Sequence, residues 1–211
     1  MTASPIKIAL AKGRILSEAV ALLERLGIRF PEIETSRSLD IPSACGRFLA
    51  LVIRSSDVPT YVSRGAADLG VVGKDVLWEN EDEEENLLEL LDLGFSRCRI
   101  VAATLGGVVP TSPVWRVATK YPLFTERVFQ SRGRPVEVVK LYGSVELAPR
   151  AGIADAVVDM VETGSTLKAN NLEVIEELGV STARLIANRV AYKTKNAAMM
   201  DLLPRLEEAL R

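Results

Sequence analysis

The chain contains no histidine. That absence removes Ser-His and Cys-His nucleophile pairs and histidine-based zinc sites, so any chemistry must run on carboxylates, amines, guanidinium groups and backbone donors. Cysteine is scarce as well. Cys45 and Cys98 are too few and too far apart for a disulfide framework or a zinc motif, and both read as reduced thiols. No apolar run approaches the roughly 20 residues of a membrane-spanning helix, and the amino terminus lacks the charged segment and apolar stretch of a secretory signal. The expected location is the cytoplasm. A net charge of −2 gives no general attraction to nucleic acid or membrane, so a cationic site has to be local.

What is present is a core. The chain has 211 residues, 48% hydrophobic and 26% charged, enough for one large or two small domains. Ile6–Leu10 alternates as a strand, and Leu16, Ala19, Val20, Leu23 and Leu26 recur at helical spacing before Gly27. Phe48–Ile53 and Leu69–Val72 are continuous apolar runs suited to buried strands, with Asp57 as an expected helix N-cap and Pro59 in that helix's first turn. Such alternation predicts a mainly parallel sheet with helices on its faces. A second series follows the Gly94-Phe95-Ser96 break. Its strands are Ile100–Thr104, Arg116–Thr119, Val136–Leu141 and Ala156–Val158, and its helices Leu123–Gln130 and Val145–Arg150. Leu172–Leu178 fits either a helix or a strand. Arg184–Asn188 reads as a strand, and 195–210 as a helix carrying Ala198, Leu202, Leu203, Leu206 and Leu210 on one stripe, with Pro204 as a kink. The acidic run Glu79–Glu85 reads as a solvated loop, because consecutive acids repel and lack the spaced ligands of a calcium site.

The segment with the most chemistry lies between Glu146 and Leu167. Ala156–Val158 delivers Asp159 at a strand's carboxyl end, and Glu162-Thr163-Gly164-Ser165-Thr166 then forms a turn into a helix. Backbone N–H groups at a helix start, with the hydroxyls of Thr163, Ser165 and Thr166, suit a terminal phosphate, and Gly164 lets the main chain approach it. Asp159 is then placed for ribose hydroxyls, and Glu162 either reaches them with it or faces solvent. Locally, the same residues also describe an ordinary capped strand-to-helix turn.

The long gapped pattern Glu146, Gly152, Asp159, Thr163-Gly164-x-Thr166-Leu167 resembles the signature of the ATP phosphoribosyltransferases, the first enzymes of histidine biosynthesis. Three other blocks resemble the same family: Ile6 to Ile15 with its Lys12-Gly13-Arg14 turn, Arg54 to Tyr61, and Ala67 to Asp75. The likeness runs from about residue 6 to about residue 192. It does not extend into the regulatory domain of the long members, which points to the short form.

The resemblance implies two α/β lobes of periplasmic-binding-protein type around a cleft, with no C-terminal regulatory domain. It puts the first lobe at 1–95 plus 189–211, on the ATP side, and the phosphoribosyl pyrophosphate site in a second lobe at 96–188. The implied reaction joins N1 of the ATP adenine to C1 of phosphoribosyl pyrophosphate, with Mg2+ accompanying both substrates. Lys12, Arg14 and Arg54 are the expected catalytic cations. Arg37, Asp68, Leu69, Gly70, Gly73 and Lys74 are expected along ATP or shared phosphates, although Arg37 also fits a surface loop and Asp75 a helix cap. Glu146 is expected to orient substrate or a Mg2+-bound water, or else to complement a helix start. The implied assembly is a homodimer that joins a regulatory subunit resembling histidyl-tRNA synthetase, with no nucleic acid and no membrane. Two other readings fit the same residues: a two-lobed small-molecule binding protein, and a phosphoribosyltransferase for another acceptor.

Overall fold

Strand β1 (Ile6–Ala11) sets the plan of the first sheet through its alternation. Ile6, Ile8 and Leu10 face one layer, where they pack with Ala19, Leu22 and Leu23 of helix α1 (Arg14–Arg25) and with Met199, Leu202 and Leu206 of helix α7 (Asn196–Ala209). Ala9 and Ala11 face the other layer, against Val58 and Val62 of helix α2 (Val58–Ser63). The structure is a computed structural model that describes residues 4–33, 38, 40–80 and 85–211. Arg37 and the centre of the acidic run lie outside the described residues.

The chain divides into two compact units, 1–96 with 182–211, and 97–181. The first holds a six-stranded sheet in the order β2-β3-β1-β4-β11-β5, built from β2 (Asp40–Pro42), β3 (Phe48–Ile53), β4 (Leu69–Gly73), β5 (Leu87–Asp92) and β11 (Ala183–Asn188) around β1. Helix α3 (Lys74–Trp78) follows β4, and α6 (Arg189–Thr194) follows β11. The second unit holds a five-stranded sheet, β10-β6-β9-β7-β8, from β6 (Cys98–Leu105), β7 (Trp115–Thr119), β8 (Val136–Lys140), β9 (Ala156–Val161) and β10 (Leu172–Ser181). Helix α4 (Pro122–Ser131) joins β7 to β8, and α5 (Ser165–Ala169) follows β9.

Apart from β2, which pairs antiparallel with β3 at one edge of the first sheet, the two sheets share one topology. In the first, β3, β1 and β4 run parallel, and β11 and then β5 continue antiparallel. In the second, β8, β7 and β9 run parallel, and β6 and then β10 continue antiparallel. The sheets are therefore mixed, not mainly parallel as the strand-helix alternation suggested. The reason is the return path: β11 and β6 each enter beside the last parallel strand from a connection that needs no helical crossover.

The elements differ from the sequence reading in four places. The chain returns to the first unit at Thr182 instead of near residue 189, because β11 pairs with both β4 and β5. Val145–Arg150 is a 3-10 turn at Val145–Leu147 followed by further turns, since Pro149 has no N–H to extend a helical ladder. Asp57 gives no side-chain cap to α2, and a 3-10 turn at Ser55–Asp57 leads into that helix instead. In α7 the buried stripe runs through Met199, Leu202 and Leu206, while Ala198 is exposed.

Candidate functional site

In each unit the three parallel strands end side by side, and the segments leaving those ends carry the candidate residues. Ligands of α/β sheets favour this carboxyl edge.

In the first unit, β1 ends at Ala11 opposite Ile53 of β3, and the Lys12 N–H donates to the Ile53 carbonyl at 2.8 Å. Lys12 and Arg54 therefore leave neighbouring strands at one level. Gly13 follows with φ 94° and ψ −149°, a conformation that an L side chain resists, and it turns the chain into α1 with Arg14 as the first helical residue. Lys12, Arg14 and Arg54 are all exposed. Among the described residues, the side chains of Lys12 and Arg54 have no ion-pair partner, so both charges remain available to an anion.

Lys74 leaves β4 on the other side of β1, its N–H held by the Thr182 carbonyl at 3.0 Å. Its ammonium is committed to Glu89 of β5 at 2.5 Å, and Arg184 bridges Glu89 and Asp92 at 3.1 and 2.9 Å. Beside this pair, Leu77, Trp78, Asn80, Leu87 and Ile186 line a cavity of about 230 Å³. Gly73 sits at the helix N-cap position with an extended backbone.

The rest of the block from Asp68 serves the sheet and not its ligand edge. Asp68 lies at the amino end of β4, where its Oδ2 accepts from the Lys7 N–H at 2.8 Å and from Lys195 Nζ at 2.6 Å. Leu69 is fully buried. Gly70 is buried under α2, where a Cβ would meet Val58 Cγ1 and Val62 Cγ2 at 2.8 Å each and Ile186 Cγ1 at 3.0 Å. The structure places Asp68, Leu69 and Gly70 away from the carboxyl edge, Asp68 in a part-buried ion pair and Gly70 in a close helix-sheet approach.

In the second unit the carboxyl edge carries Glu146 after β8, Lys120 after β7, and Asp159 with the Thr163–Thr166 turn on and after β9. Asp159 is not at the strand's end as expected. Strand β9 continues to Val161, and Asp159 pairs with Val101 of β6. Its Oδ1 accepts from the Met160 N–H at 2.8 Å. Burial pushes the Asp159 carboxyl above its ordinary range; the Met160 N–H and the Lys120 charge pull it partly back, and the Glu146 charge adds to the rise. Glu146 is half-buried in its 3-10 turn, which Val145 and Ala148 anchor. The turn begins at Ser144, which sits in the left-handed region at φ 48°. A non-glycine residue held there marks a backbone fixed by its surroundings.

Gly164 is also left-handed, at φ 80°, and it is the N-cap position of α5. Thr163, Ser165 and Thr166 are exposed, and the Thr163 and Ser165 hydroxyl oxygens lie 3.1 Å apart. Buried Leu167 pins the turn to the core of the unit. Open hydroxyls over a fixed backbone and a helix start offer a set of donors suited to an anion. Glu162 is exposed just before this turn. Asp155 lies at the opposite, amino end of β9, gripped by Arg116.

Lys120 was missed by the sequence reading. Its signal was available: it directly follows the buried run Val117-Ala118-Thr119, as Lys12 follows β1. Among the described residues no group of three or more Asp, Glu, Cys or His gathers to hold a metal ion.

A family model described as HisG, ATP phosphoribosyltransferase, matches residues 54–208. An ATP phosphoribosyltransferase of Symbiobacterium thermophilum is 50% identical over 214 residues, covering 97% of this chain and 95% of that protein. Among solved structures, the ATP phosphoribosyl transferase (HisG:HisZ) complex from Thermotoga maritima aligns at a TM-score of 0.81 and 36% identity, over 97% of this chain and 98% of that one. The periplasmic aliphatic sulphonate binding protein SsuA of Escherichia coli aligns at 0.62 and 15% identity, over 99% of this chain and 69% of that one. That last likeness is one of fold, and it assigns the two α/β units to the periplasmic-binding-protein type.

Proposed function

The chain belongs to the ATP phosphoribosyltransferase family, and from that membership we propose that it joins N1 of the ATP adenine to C1 of phosphoribosyl pyrophosphate. The products are N1-(5-phosphoribosyl)-ATP and pyrophosphate, and the step opens histidine biosynthesis. The observation that supports this reading most is the carboxyl edge of the second unit, where a part-buried Asp159 precedes the open Thr163–Thr166 turn.

In this reading the turn at Thr163, Gly164, Ser165 and Thr166 takes the donor's 5-phosphate, and Asp159 with Glu162 takes the ribose hydroxyls. Glu146 orients the donor. The attacking nitrogen already has a lone pair, so no strong base is required and a chain without histidine lacks nothing. The demand falls on aligning two substrates and stabilising an oxocarbenium-like sugar and a highly charged leaving group. Arg54, Lys12 and Arg14 meet the second demand. A planar guanidinium such as Arg54 can bridge two phosphate oxygens. Gly73 and Lys74 adjoin the ATP, with Glu89 holding the Lys74 ammonium in place, and Arg37 adds a further cation. Mg2+ is the proposed cofactor, and when bound to the substrate phosphates it neutralises charge on the departing diphosphate.

The proposal extends to assembly and location. The chain forms a homodimer that joins a histidyl-tRNA-synthetase-like regulatory subunit in the cytoplasm, a reading supported by the HisG:HisZ complex of the Thermotoga maritima relative. No helix among the described residues is long and apolar enough to cross a membrane. Sizing the protein alone and with that subunit tests the assembly; a monomer that never bound it would overturn this part. The activity is tested by incubating the chain with phosphoribosyl pyrophosphate, Mg2+ and either ATP or each free nucleobase. Product from ATP alone is expected, and product from a free base would sink the assignment.

A further inference from the structure

We propose that Lys120 binds the diphosphate end of the phosphoribosyl donor, holding in the second unit the station that Lys12 holds in the first. This rests on the donor reading given above and deepens it. Strand β7 is the middle of the three parallel strands β8-β7-β9. Its last residue, Thr119, pairs with Lys140 on β8 and with Val158 on β9, so Lys120 leaves the sheet level with Asp159. The carboxyl edge thus presents, from β9 towards β8, the Thr163–Thr166 turn, Asp159, Lys120 and Glu146. A donor with its 5-phosphate in the turn and its ribose hydroxyls on Asp159 directs C1 and its diphosphate towards Lys120.

The side chain is prepared for an anion. Its Nζ sits 4.9 Å from the centroid of the Tyr121 ring, and that ring is buried. The platform is fixed, because the Tyr121 N–H donates to Thr119 Oγ1 at 2.9 Å and the Tyr121 carbonyl accepts from the Thr125 N–H at 3.0 Å. Among the described residues Lys120 has neither an ion pair nor a hydrogen bond. An ammonium resting on a ring face keeps its charge available and sheds little water. It also lies close enough for its charge to favour the Asp159 carboxylate. Burial and the Met160 N–H act on Asp159 more strongly than this charge does, so the effect of Lys120 falls chiefly on the diphosphate end.

Calorimetric titration of the full-length protein with inorganic pyrophosphate plus Mg2+, and separately with ribose 5-phosphate, tests this. Lys120→Gln is expected to weaken pyrophosphate binding about 10-fold or more, the scale of a lost charged hydrogen bond, and to leave ribose 5-phosphate within about twofold. Lys120→Arg keeps the charge and is expected to retain most of the pyrophosphate affinity. Equal loss for both ligands, or no loss for either, overturns the assignment of Lys120 while the donor site stands. Failure of the wild-type chain to bind ribose 5-phosphate or phosphoribosyl pyrophosphate overturns the donor reading as well.

Discussion

Asp68 and Asp155 hold equivalent stations in two different sheets. Each precedes the last parallel strand, each follows a left-handed glycine three residues earlier, Gly65 or Gly152, and each locks the neighbouring strand through a reciprocal pair of bonds. Oδ2 of Asp68 accepts from the Lys7 N–H at 2.8 Å while the Asp68 N–H donates to the Lys7 carbonyl at 2.9 Å; Asp155 and Arg116 repeat this at 2.9 and 2.8 Å. Asp68 adds a part-buried ion pair with Lys195, so Asp68→Asn is expected to cost on the order of 1–3 kcal/mol of stability. KM for both substrates should stay within about twofold, since a residue away from the edge forms no transition-state contact. Urea titration and steady-state kinetics check the pair, and a large rise in the KM for ATP at unchanged stability would return Asp68 to the site.

Gly164→Val places a branched side chain at φ 80°, where the left-handed backbone costs about 1–2 kcal/mol. A Cβ there meets only Val161 Cγ1 at 3.8 Å, so packing is not the obstacle. The substitution should therefore distort the turn while the unit stays folded. Weaker binding of ribose 5-phosphate with a melting temperature lowered by only about 2–8 °C is the expected result, and intact affinity would remove the turn from the donor site.

Arg54→Ala removes an exposed cation that has no ion-pair partner among the described residues. Stability should hardly change. The chemical step is expected to slow by roughly 10²-fold, on the scale of lost electrostatic donors. Single-turnover rates beside thermal melts separate these, and a variant that merely melts earlier would show a structural arginine.

Asp159 gives a pH dependence of known sign. Its carboxyl is raised mainly by burial, so the folded chain holds this proton more tightly than the unfolded chain does. Donor binding that needs the carboxylate is lost as pH falls through this raised value, earlier than for an ordinary aspartate. Asp159→Asn should flatten that acid limb and slightly raise the melting temperature near neutral pH, where a strained charge is gone. Glu146→Gln should move the limb to lower pH, because a repelling charge has left. Profiles of kcat/KM against pH decide, and an unmoved limb in both variants assigns it to another group.

How much of this was legible depended on what each residue answers to. Runs such as Phe48–Ile53 and Leu69–Val72 declare buried strands because every position is apolar, and the order of strand, basic or hydroxylic turn and helix marked the ligand edge of both sheets. Partners were not legible. Leu185, Ile186 and Ala187 announce burial but not that they sit between β4 and β5. Strand β10 obscures its own alternation with irregular register at Val174/Glu176 and Glu177/Gly179. Charge commitments between distant residues, Lys74 with Glu89 and Asp68 with Lys195, are tertiary facts that no local pattern encodes. The packing at Gly70 was hidden for a related reason: a glycine that admits a helix and a glycine that admits a phosphate look alike in sequence.

The place of β11 in the first sheet sets an order of events at the ribosome. All five strands of the second sheet lie within residues 98–181, one uninterrupted stretch of chain. The first sheet begins to be made at Ile6 yet has a gap between β4 and β5 until Ala183–Asn188 emerges. The portion translated later is thus the first to complete its strand pairing, and the portion translated first must wait, with an open edge on β4, for its last strand to arrive.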